Sequence, residues 1–317
     1  MNEAKASIRP VLSVLMPAFN EAGNLPALHE RVVTAMDRLG LPWEWIVVDD
    51  HSTDATFDTI RCLAGSDTRI RGVRLARNSG SHAAIICGLA EAQGEAAIVL
   101  AADGQDPPEE IPCLVESWRA GKAIVWAEKR APVAGPMERA TSRLFNFAFR
   151  RLSGLDSPGA GGSDFFLVSR PVIDVVNSLG ERNTNIIALL AWLGFDQARI
   201  LYDKQSRLGG RSGWTMSKRI RLALDSVLGF SVRPVQMIST LGFLTAALGF
   251  VYAAIVVANA ALGRPVEGWS SLMVVVLLIG GVQMVMLGVL GEYIWRALDE
   301  SRGRPRYVIE KRTNDRT

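Results

Sequence analysis

Acidic and amide side chains form three short clusters in the sequence, and such groups can bind a divalent cation or the hydroxyls of a nucleotide. The clusters read MPAFNEAGN at 16–24, VDDHSTD at 48–54 and ADGQDPPE at 102–109. Acids repel phosphate unless a divalent cation lies between them. The clusters therefore suggest a site for a metal and a phosphorylated nucleotide.

Two kinds of contact are expected from these acids. Asp103, Gln105 and Asp106 offer hard oxygen ligands, which suit Mg²⁺ or Mn²⁺ bound through one or two carboxylates plus substrate phosphates. Asp49 or Asp50 would instead bond the ring nitrogens or ribose hydroxyls of a nucleotide. A nucleotide diphosphate held by a metal is the ligand that these residues favour.

The elements that must position these clusters are strands of a mostly parallel sheet. Short apolar runs alternate with helical periodicity through the first 130 residues, and five of them predict strands, at Val11–Pro17, Trp45–Val48, Ile70–Leu75, Ala96–Leu100 and Ala123–Ala127. Strands that are apolar throughout and alternate with helices indicate an α/β fold whose sheet is covered on both faces. The three polar clusters follow the first, second and fourth strands, where open parallel sheets bind ligands.

The sequence lacks two common phosphate-binding motifs. No GxGxxG follows a strand and no GxxxxGK[ST] is present, so neither the dinucleotide fingerprint nor the phosphate loop is expected. The missing glycine-rich loop after the first strand also disfavours a nucleotidyltransferase.

Apolar residues are concentrated near the C-terminus. Pro234–Gly263 and Gly268–Gly291 are uncharged runs of 30 and 24 residues, each longer than the ~20 that cross a bilayer. Seven Lys or Arg lie between Lys204 and Arg233 and seven more after residue 291, against one in the turn between the runs. The positive-inside rule then places both termini and the first domain in the cytoplasm. A soluble monomer is excluded, and the net charge of +3 gives no reason to expect nucleic acid.

This pattern predicts five regions. They are a cytoplasmic α/β domain at 1–213, an amphipathic juxtamembrane helix at 214–233, membrane helices at 234–263 and 268–295, and a basic cytoplasmic tail at 296–317. The three cysteines lack metal-site spacing and are predicted to be buried free thiols.

Six stretches, in order along nearly the whole chain, resemble signatures of family-two glycosyltransferases acting on polyprenyl phosphates. That group includes dolichol-phosphate mannose synthase and bacterial bactoprenol-phosphate glucosyltransferases. The stretches are LSVLMPAFNE (12–21), VDDHSTD (48–54), RNSGSHAAIICGL (77–89), AADGQDPPE (101–109), SDFFLVSR (163–170) and RLGGRSGW (207–214). The resemblance implies a GT-A fold, Rossmann-like with a mostly parallel sheet, followed by a two-helix transmembrane hairpin.

The resemblance also implies roles for individual residues. Asp103 and Gln105 would hold the metal and the sugar diphosphate, Asp164 would lie near the sugar and acceptor, and Arg207 would grip phosphates from a mobile loop. The remaining substrate-binding candidates are Pro17, Phe19, Glu21, Asp49 and Asp50 for the nucleoside and Ser212 for phosphates. Lys129 and Arg130 are further substrate-binding candidates, because they fall where the family has arginines after the fifth strand.

The sequence departs from the family pattern at Ala101, at His51 and at Gly213, where lysine is common. The first acid of the usual Asp-x-Asp pair is Ala101 here, so a metal is expected to bind more weakly. His51 stands where glycine is usual.

The activity implied is inverting transfer of a hexose from a nucleotide-diphosphate sugar, with UDP-glucose as first choice, to undecaprenyl phosphate at the cytoplasmic membrane face. Alternatives are a GDP-mannose-dependent transferase, an enzyme of the same fold with a sugar or protein acceptor, and an inactive membrane-anchored nucleotide-sugar-binding protein, which Ala101 favours. By resemblance, the protein is expected to form a homo-oligomer, a tetramer.

Overall fold

The computed structural model of the protein describes residues 9–130, 164–180, 185–203, 205, 233–262 and 268–314. The predicted juxtamembrane helix, except Arg233, and the predicted phosphate-gripping residues Arg207 and Ser212 lie outside these residues.

The first hundred residues form four parallel strands joined by helices, as the alternating pattern predicts. Parallel pairing joins β1 to β2, β2 to β3 and β1 to β4. The elements in chain order are β1 (Leu12–Ala18), α1 (Leu25–Leu39), β2 (Trp43–Asp49), α2 (Thr56–Ser66), β3 (Ile70–Leu75), α3 (Ser81–Glu91) and β4 (Ala96–Val99). Left-handed Gly40 ends α1, a conformation that glycine adopts without steric cost.

The next part of the chain adds antiparallel pairing. A 3₁₀ turn at Pro108–Glu110 precedes α4 (Ile111–Arg119), and then come β5 (Ile124–Lys129), β6 (Phe166–Ser169), α5 (Arg170–Ser178), α6 (Ile186–Trp192) and β7 (Gln197–Tyr202). Strand β6 inserts antiparallel between β4 and β5, while β5 and β7 are parallel. With a last strand, β8 (Ile309–Arg312), the sheet order is β7-β5-β6-β4-β1-β2-β3-β8.

The core lies in two layers, one on each face of the sheet. On β1, Val14 faces a cluster that includes Leu28 of α1 and Leu114 of α4. Its neighbour Leu15 faces the opposite cluster, which includes Ile85 of α3. This alternation follows from the two-residue period of a strand, and it confirms the predicted sheet covered on both faces.

The cysteine prediction was wrong for two of the three thiols. Cys87 is buried in α3, whereas Cys62 and Cys113 are exposed on α2 and α4. Both exposed thiols lie on amphipathic helices, and apolar neighbours in sequence do not decide which face of a helix a residue occupies.

Two long apolar helices follow, α7 (Arg233–Ala261) and α8 (Trp269–Ser301). Val235–Asn259 and Leu272–Ser301 have mean hydropathies of 2.2 and 2.5, enough in length and composition to cross a membrane, and their most apolar windows are not buried. The two helices pack together at Gly242, where an added Cβ would lie 2.7 Å from Cε of Met286. They are therefore not core helices of the catalytic domain.

The segment after α8 returns to the sheet, which sequence analysis did not predict. Helix α8 continues to Ser301, and β8 then pairs antiparallel with β3. Part of the region expected as a basic tail is thus the last strand of the catalytic sheet.

Candidate active site

The carboxyl ends of β1, β2 and β4 meet at one rim of the sheet. Ala18 is opposite Asp49 in the β1–β2 register, and Leu15 is opposite Val99 in the β1–β4 register. The three acidic clusters follow these strand ends, so the structure brings them to the same rim.

The loop after β1 is held against the loop after β2 by bonds between side chains and backbone. Asn20 N–H donates to Ser52 Oγ over 2.9 Å, and Thr53 N–H donates to Asn20 Oδ1 over 2.8 Å. Glu21 N–H donates to Thr56 Oγ1 over 2.9 Å. These bonds fix the backbone of the first loop. On it, the Phe19 ring is 45% exposed at the rim, where an aromatic ring can stack on a base.

Asp49 is an ion-paired carboxylate at the end of β2. It is fully buried; Oδ2 accepts from Nη1 of Arg74 over 2.8 Å, and Oδ1 accepts the Ser52 N–H over 2.9 Å. Because a buried charge needs a partner, the contact with Arg74 compensates for the burial of the Asp49 carboxylate at the rim. Sequence reasoning missed Arg74.

Asp50 organises the loop before α3. Its two carboxylate oxygens accept the N–H groups of Ser79 and Gly80 over 2.7 and 2.8 Å. Burial raises the pKa of Asp50, and these two backbone bonds act in the opposite direction. Asp50 therefore connects the rim after β2 with the loop after β3.

The backbone conformation of His51 explains why the family usually has glycine at this position of the VDDHSTD cluster. His51 has φ of 59°, in the left-handed region that glycine occupies at little cost. Its Nδ1 lies 3.1 Å from the carbonyl oxygen of Leu75, a contact that helps offset the backbone cost.

In the turn after β4, Asp103 is partly exposed at the rim and Asp106 is buried. Asp103 is partly exposed, and its Oδ1 accepts the Gln105 N–H over 3.1 Å. Asp106 is only 4% exposed; its Oδ1 accepts the hydroxyl of Tyr202 over 2.5 Å, and its Oδ2 accepts the Ala101 N–H over 3.4 Å. Burial raises the pKa of Asp106. Asp106 thus supports the turn through both of its carboxylate oxygens, and its role as a metal ligand stays a prediction.

Asp164 reaches the same rim because β6 is antiparallel. Phe166, the first residue of β6, is opposite Val99 at the end of β4 and opposite Trp126 in β5. The residues just before β6 therefore lie at the carboxyl end of the parallel strands. Asp164 precedes its strand, so a search limited to residues that follow strands does not find it. The resemblance of SDFFLVSR at 163–170 to the family signature identified it.

Lys129 and Arg130 end β5 in different surroundings. Burial raises the pKa of Asp106, and the hydroxyl of Tyr202 and the positive charge of Lys129 act in the opposite direction, which puts Lys129 within electrostatic range of this acid. Arg130 is exposed and pairs with Asp203 over 3.3 Å. Lys129 is the better placed of the two toward the acids of the rim.

Gln205 fixes the chain just before the glycine-rich segment that carries Arg207 and Ser212. Its N–H donates to the Gln105 carbonyl over 3.1 Å, and its Oε1 accepts from Arg31 over 2.9 Å. Arg31 also forms a bidentate pair with Glu109, at 2.9 and 2.7 Å. Gln205 thus lies beside the Asp103 turn.

The described side chains do not form a ready-made metal cage. No group of three or more His, Cys, Asp or Glu among residues 9–130, 164–180, 185–203, 205, 233–262 and 268–314 is arranged to hold an ion. The rim instead combines Asp103 and Gln105, a nearby lysine, an exposed aromatic ring and paired acids. Such a set can hold a nucleoside and position a phosphorylated ligand.

The comparisons with known proteins agree with this arrangement. The family described as "Glycosyl transferase family 2" matches residues 13–205, and "GtrB C-terminal hairpin" matches residues 233–297. The bactoprenol glucosyl transferase of Shigella phage SfII is 34% identical over 302 residues, covering 95% of this chain and 97% of that protein. The prophage bactoprenol glucosyl transferase homolog of Escherichia coli K12 is 33% identical, with 95% and 98% covered.

A solved structure of glucosyl-3-phosphoglycerate synthase from Mycobacterium tuberculosis with Mn²⁺, uridine-diphosphate and phosphoglyceric acid is also similar. It is 20% identical with a TM-score of 0.48, covering 69% of this chain and 76% of that one. The match to residues 13–205 spans more than half of the 317 residues. The chain belongs to glycosyl transferase family 2 and is a glycosyltransferase with a GtrB C-terminal hairpin.

Proposed function

We propose that the protein transfers a hexose, with glucose as first choice, from a nucleotide-diphosphate sugar to a polyprenyl phosphate at the cytoplasmic face of the membrane. The observation that carries the acceptor assignment is the likeness to bactoprenol glucosyl transferases, which extends through the hairpin to 95% of the chain. A transferase with a soluble acceptor has no evident use for two long apolar helices.

We propose a division of roles within the donor site. The ring of Phe19 and the backbone after Pro17 would contact the nucleoside, together with Glu21, Asp49 and Asp50; the exposure of Phe19 and the pairing of β1 with β2 support this assignment. The Asp103 turn and Lys129 would contact the diphosphate. Arg207 and Ser212 remain proposed from their motif, on the segment that begins at Gln205.

The residues at the Asp103 turn fit a divalent cation of the Mg²⁺ or Mn²⁺ type. Asp103 and Gln105 supply a carboxylate and an amide oxygen on one partly exposed turn. Mg²⁺ binds by one or two carboxylates and takes its other ligands from phosphates and water. Such an ion would neutralise charge on the leaving diphosphate. With Ala101 in place of an acid, we propose weak metal affinity in the absence of nucleotide.

The chain's own groups need little acid–base chemistry for an inverting transfer. A phosphate monoester has a second pKa near ~6, so at neutral pH the acceptor is mostly a dianion and can attack the sugar C1 directly. The protein must then hold donor and acceptor in line and stabilise the leaving group. In this reading, Asp164 orients the reacting groups and Lys129 contributes positive charge.

The return of the chain from α8 to the sheet supports the proposed membrane topology. Helix α7 leaves the domain at Arg233, and β8 pairs with β3 after α8. Both ends of the hairpin must therefore lie on the side of the membrane that holds the catalytic sheet. The clusters of Lys and Arg flanking the hairpin support the cytoplasm as that side.

The experiment incubates detergent-purified protein with Mg²⁺, undecaprenyl phosphate and, in turn, radiolabelled UDP-glucose and GDP-mannose. We expect label to enter the organic phase from UDP-glucose and to be released by mild acid. Transfer only from GDP-mannose would change the donor assignment. Binding of nucleotide sugar without transfer from any donor would favour an inactive binding protein and contradict the proposal.

A further inference from the structure

Strand β8 covers an edge of the catalytic sheet and carries its own polar contacts to β3. The Ala76 N–H donates to the Val308 carbonyl over 2.8 Å, and Thr313 N–H donates to the Gly72 carbonyl over 3.0 Å. A Cβ on Gly72 would lie 2.7 Å from Cγ2 of Thr313, so the tail packs closely on this strand. The segment is therefore a docked element of the domain.

Glu310, in the middle of β8, contacts an arginine that also contacts the rim. Its Oε2 lies 3.1 Å from Nε of Arg74. Nη1 of the same guanidinium donates to Asp49 Oδ2 over 2.8 Å, and Nη2 donates to the Ser52 carbonyl over 3.1 Å. One planar group thus joins the tail, the buried acid at the end of β2 and the loop that follows it.

Because a guanidinium is planar and rigid, a contact at one of its nitrogens constrains the directions of the other N–H donors. Its N–H donors lie in one plane at fixed angles, so holding Nε fixes where the two Nη groups point. Glu310 holds Nε from the solvent side, and Arg74 is mostly buried there, with 19% of its side chain exposed. Nδ1 of His51 lies 3.8 Å from the same Glu310 oxygen. Arg74 thus connects Asp49 and Ser52 to a residue that follows the hairpin in sequence.

We propose that Glu310 is a positioning residue for the nucleoside part of the donor site and acts through Arg74 on Asp49. The inference rests on the proposed function, because it requires that the rim after β2 bind a nucleoside. It assigns to the segment after the hairpin a part in substrate binding in addition to completing the sheet. The connection also makes donor binding depend on correct docking of the chain that leaves the membrane.

The chain offers a matched control on the same strand. Arg312 pairs with Glu91 of α3 over 2.9 Å, which is a contact between β8 and the domain that does not involve Arg74. Arg312→Gln therefore measures how the loss of one charged contact of β8 affects nucleotide binding and transfer when the contact with Arg74 is intact.

The experiment measures Kd for UDP and GDP, and the KM and kcat of transfer, in wild type, Glu310→Gln and Arg312→Gln. We expect Glu310→Gln to raise Kd and KM for the preferred donor about three- to tenfold while kcat changes less than about twofold. Arg312→Gln should leave both constants close to those of wild type. Equal increases in the two variants would show only weaker docking of β8 and would overturn the inference.

A second set of variants tests whether Glu310 acts through Arg74. In an Arg74→Met background, adding Glu310→Gln should leave nucleotide affinity unchanged, because the intermediary is absent. Additive losses would contradict the inference. If wild type binds neither UDP nor GDP, the proposed function itself fails; if wild type binds and Glu310→Gln binds equally well, only the role of Glu310 fails.

Discussion

The hydroxyl of Tyr202, at the end of β7, donates a 2.5 Å hydrogen bond to Oδ1 of buried Asp106. The bond ties the turn after β4 to β7, although 96 residues separate the two in sequence. With Asp106 held behind the turn, Asp103 is the acid of this turn that remains partly exposed at the rim. This relationship determines which carboxylate of the DGQD sequence is available to a ligand.

The first prediction concerns Asp103. Asp103→Asn removes the turn's partly exposed carboxylate, and we expect kcat/KM for transfer to fall by at least about 100-fold, as when a group that stabilises transition-state charge is lost. The measurement is the initial rate of organic-extractable label at several donor concentrations. Asp58→Asn, which neutralises an exposed acid on α2, serves as control and should retain wild-type activity. A loss below about fivefold in Asp103→Asn would remove this residue from the site.

The second prediction restores the acid that the family pattern places at position 101. Ala101→Asp adds a carboxylate two residues before Asp103, and more charged ligands raise the affinity of a cation site. We expect the Mg²⁺ concentration that gives half-maximal transfer to fall by on the order of tenfold. Ala101→Asn, a neutral side chain of the same shape, should not reproduce the effect. An unchanged Mg²⁺ requirement in Ala101→Asp would place the metal elsewhere.

The sequence predicted the first five strands because each is a short, mainly apolar run and helical patterns lie between successive runs. It did not predict β8, since IEKR at 309–312 has three charged residues in a row and becomes a strand only through pairing with β3. Such pairing depends on a partner more than 200 residues away in sequence, which local periodicity cannot reveal.

The site residues also fall into two groups, those that local sequence predicts and those that only the tertiary structure reveals. The rule that ligands bind at carboxyl ends of parallel strands selected Asp49, Asp50 and Asp103 from local sequence. Arg74 and Tyr202 escaped notice because an Arg within β3 and a Tyr ending β7 have no local signal. Their roles arise from tertiary contacts with Asp49 and Asp106. His51 was noted as a departure from glycine, and only its φ of 59° shows what that position requires.

The third prediction concerns His82, in the first turn of α3. Both ring nitrogens are buried without a hydrogen-bond partner, and burial lowers the pKa of His82 to about 4. The unfolded chain, with a histidine pKa near ~6.5, binds a proton at pH 5 that the folded protein does not. Stability should therefore fall as pH decreases through 6.5 toward 4, by about 2 kcal/mol between pH 7.5 and pH 5.

The measurement for His82 is the thermal midpoint of the purified protein at pH 7.5 and pH 5, in wild type and His82→Asn. Asparagine does not titrate, so the variant should lose less stability on acidification than wild type. The comparison at pH 7.5 isolates any packing change, because His82 is neutral there in both folded and unfolded chains. Parallel decreases in the two proteins would show that His82 does not contribute to acid sensitivity.

The last prediction concerns Asp164, which antiparallel β6 brings to the rim. If the acceptor phosphate attacks as a preformed dianion, its second ionisation near pH ~6 should govern the pH dependence of the rate. Asp164→Asn should then lower kcat, by about tenfold for misaligned reactants, and leave the shape of the pH–rate profile unchanged. The profile is measured from pH 5 to 9 at saturating donor. A limb present in wild type and abolished in Asp164→Asn would show that ionisation of Asp164 governs the rate, as expected of a general base, and would contradict a purely orienting role.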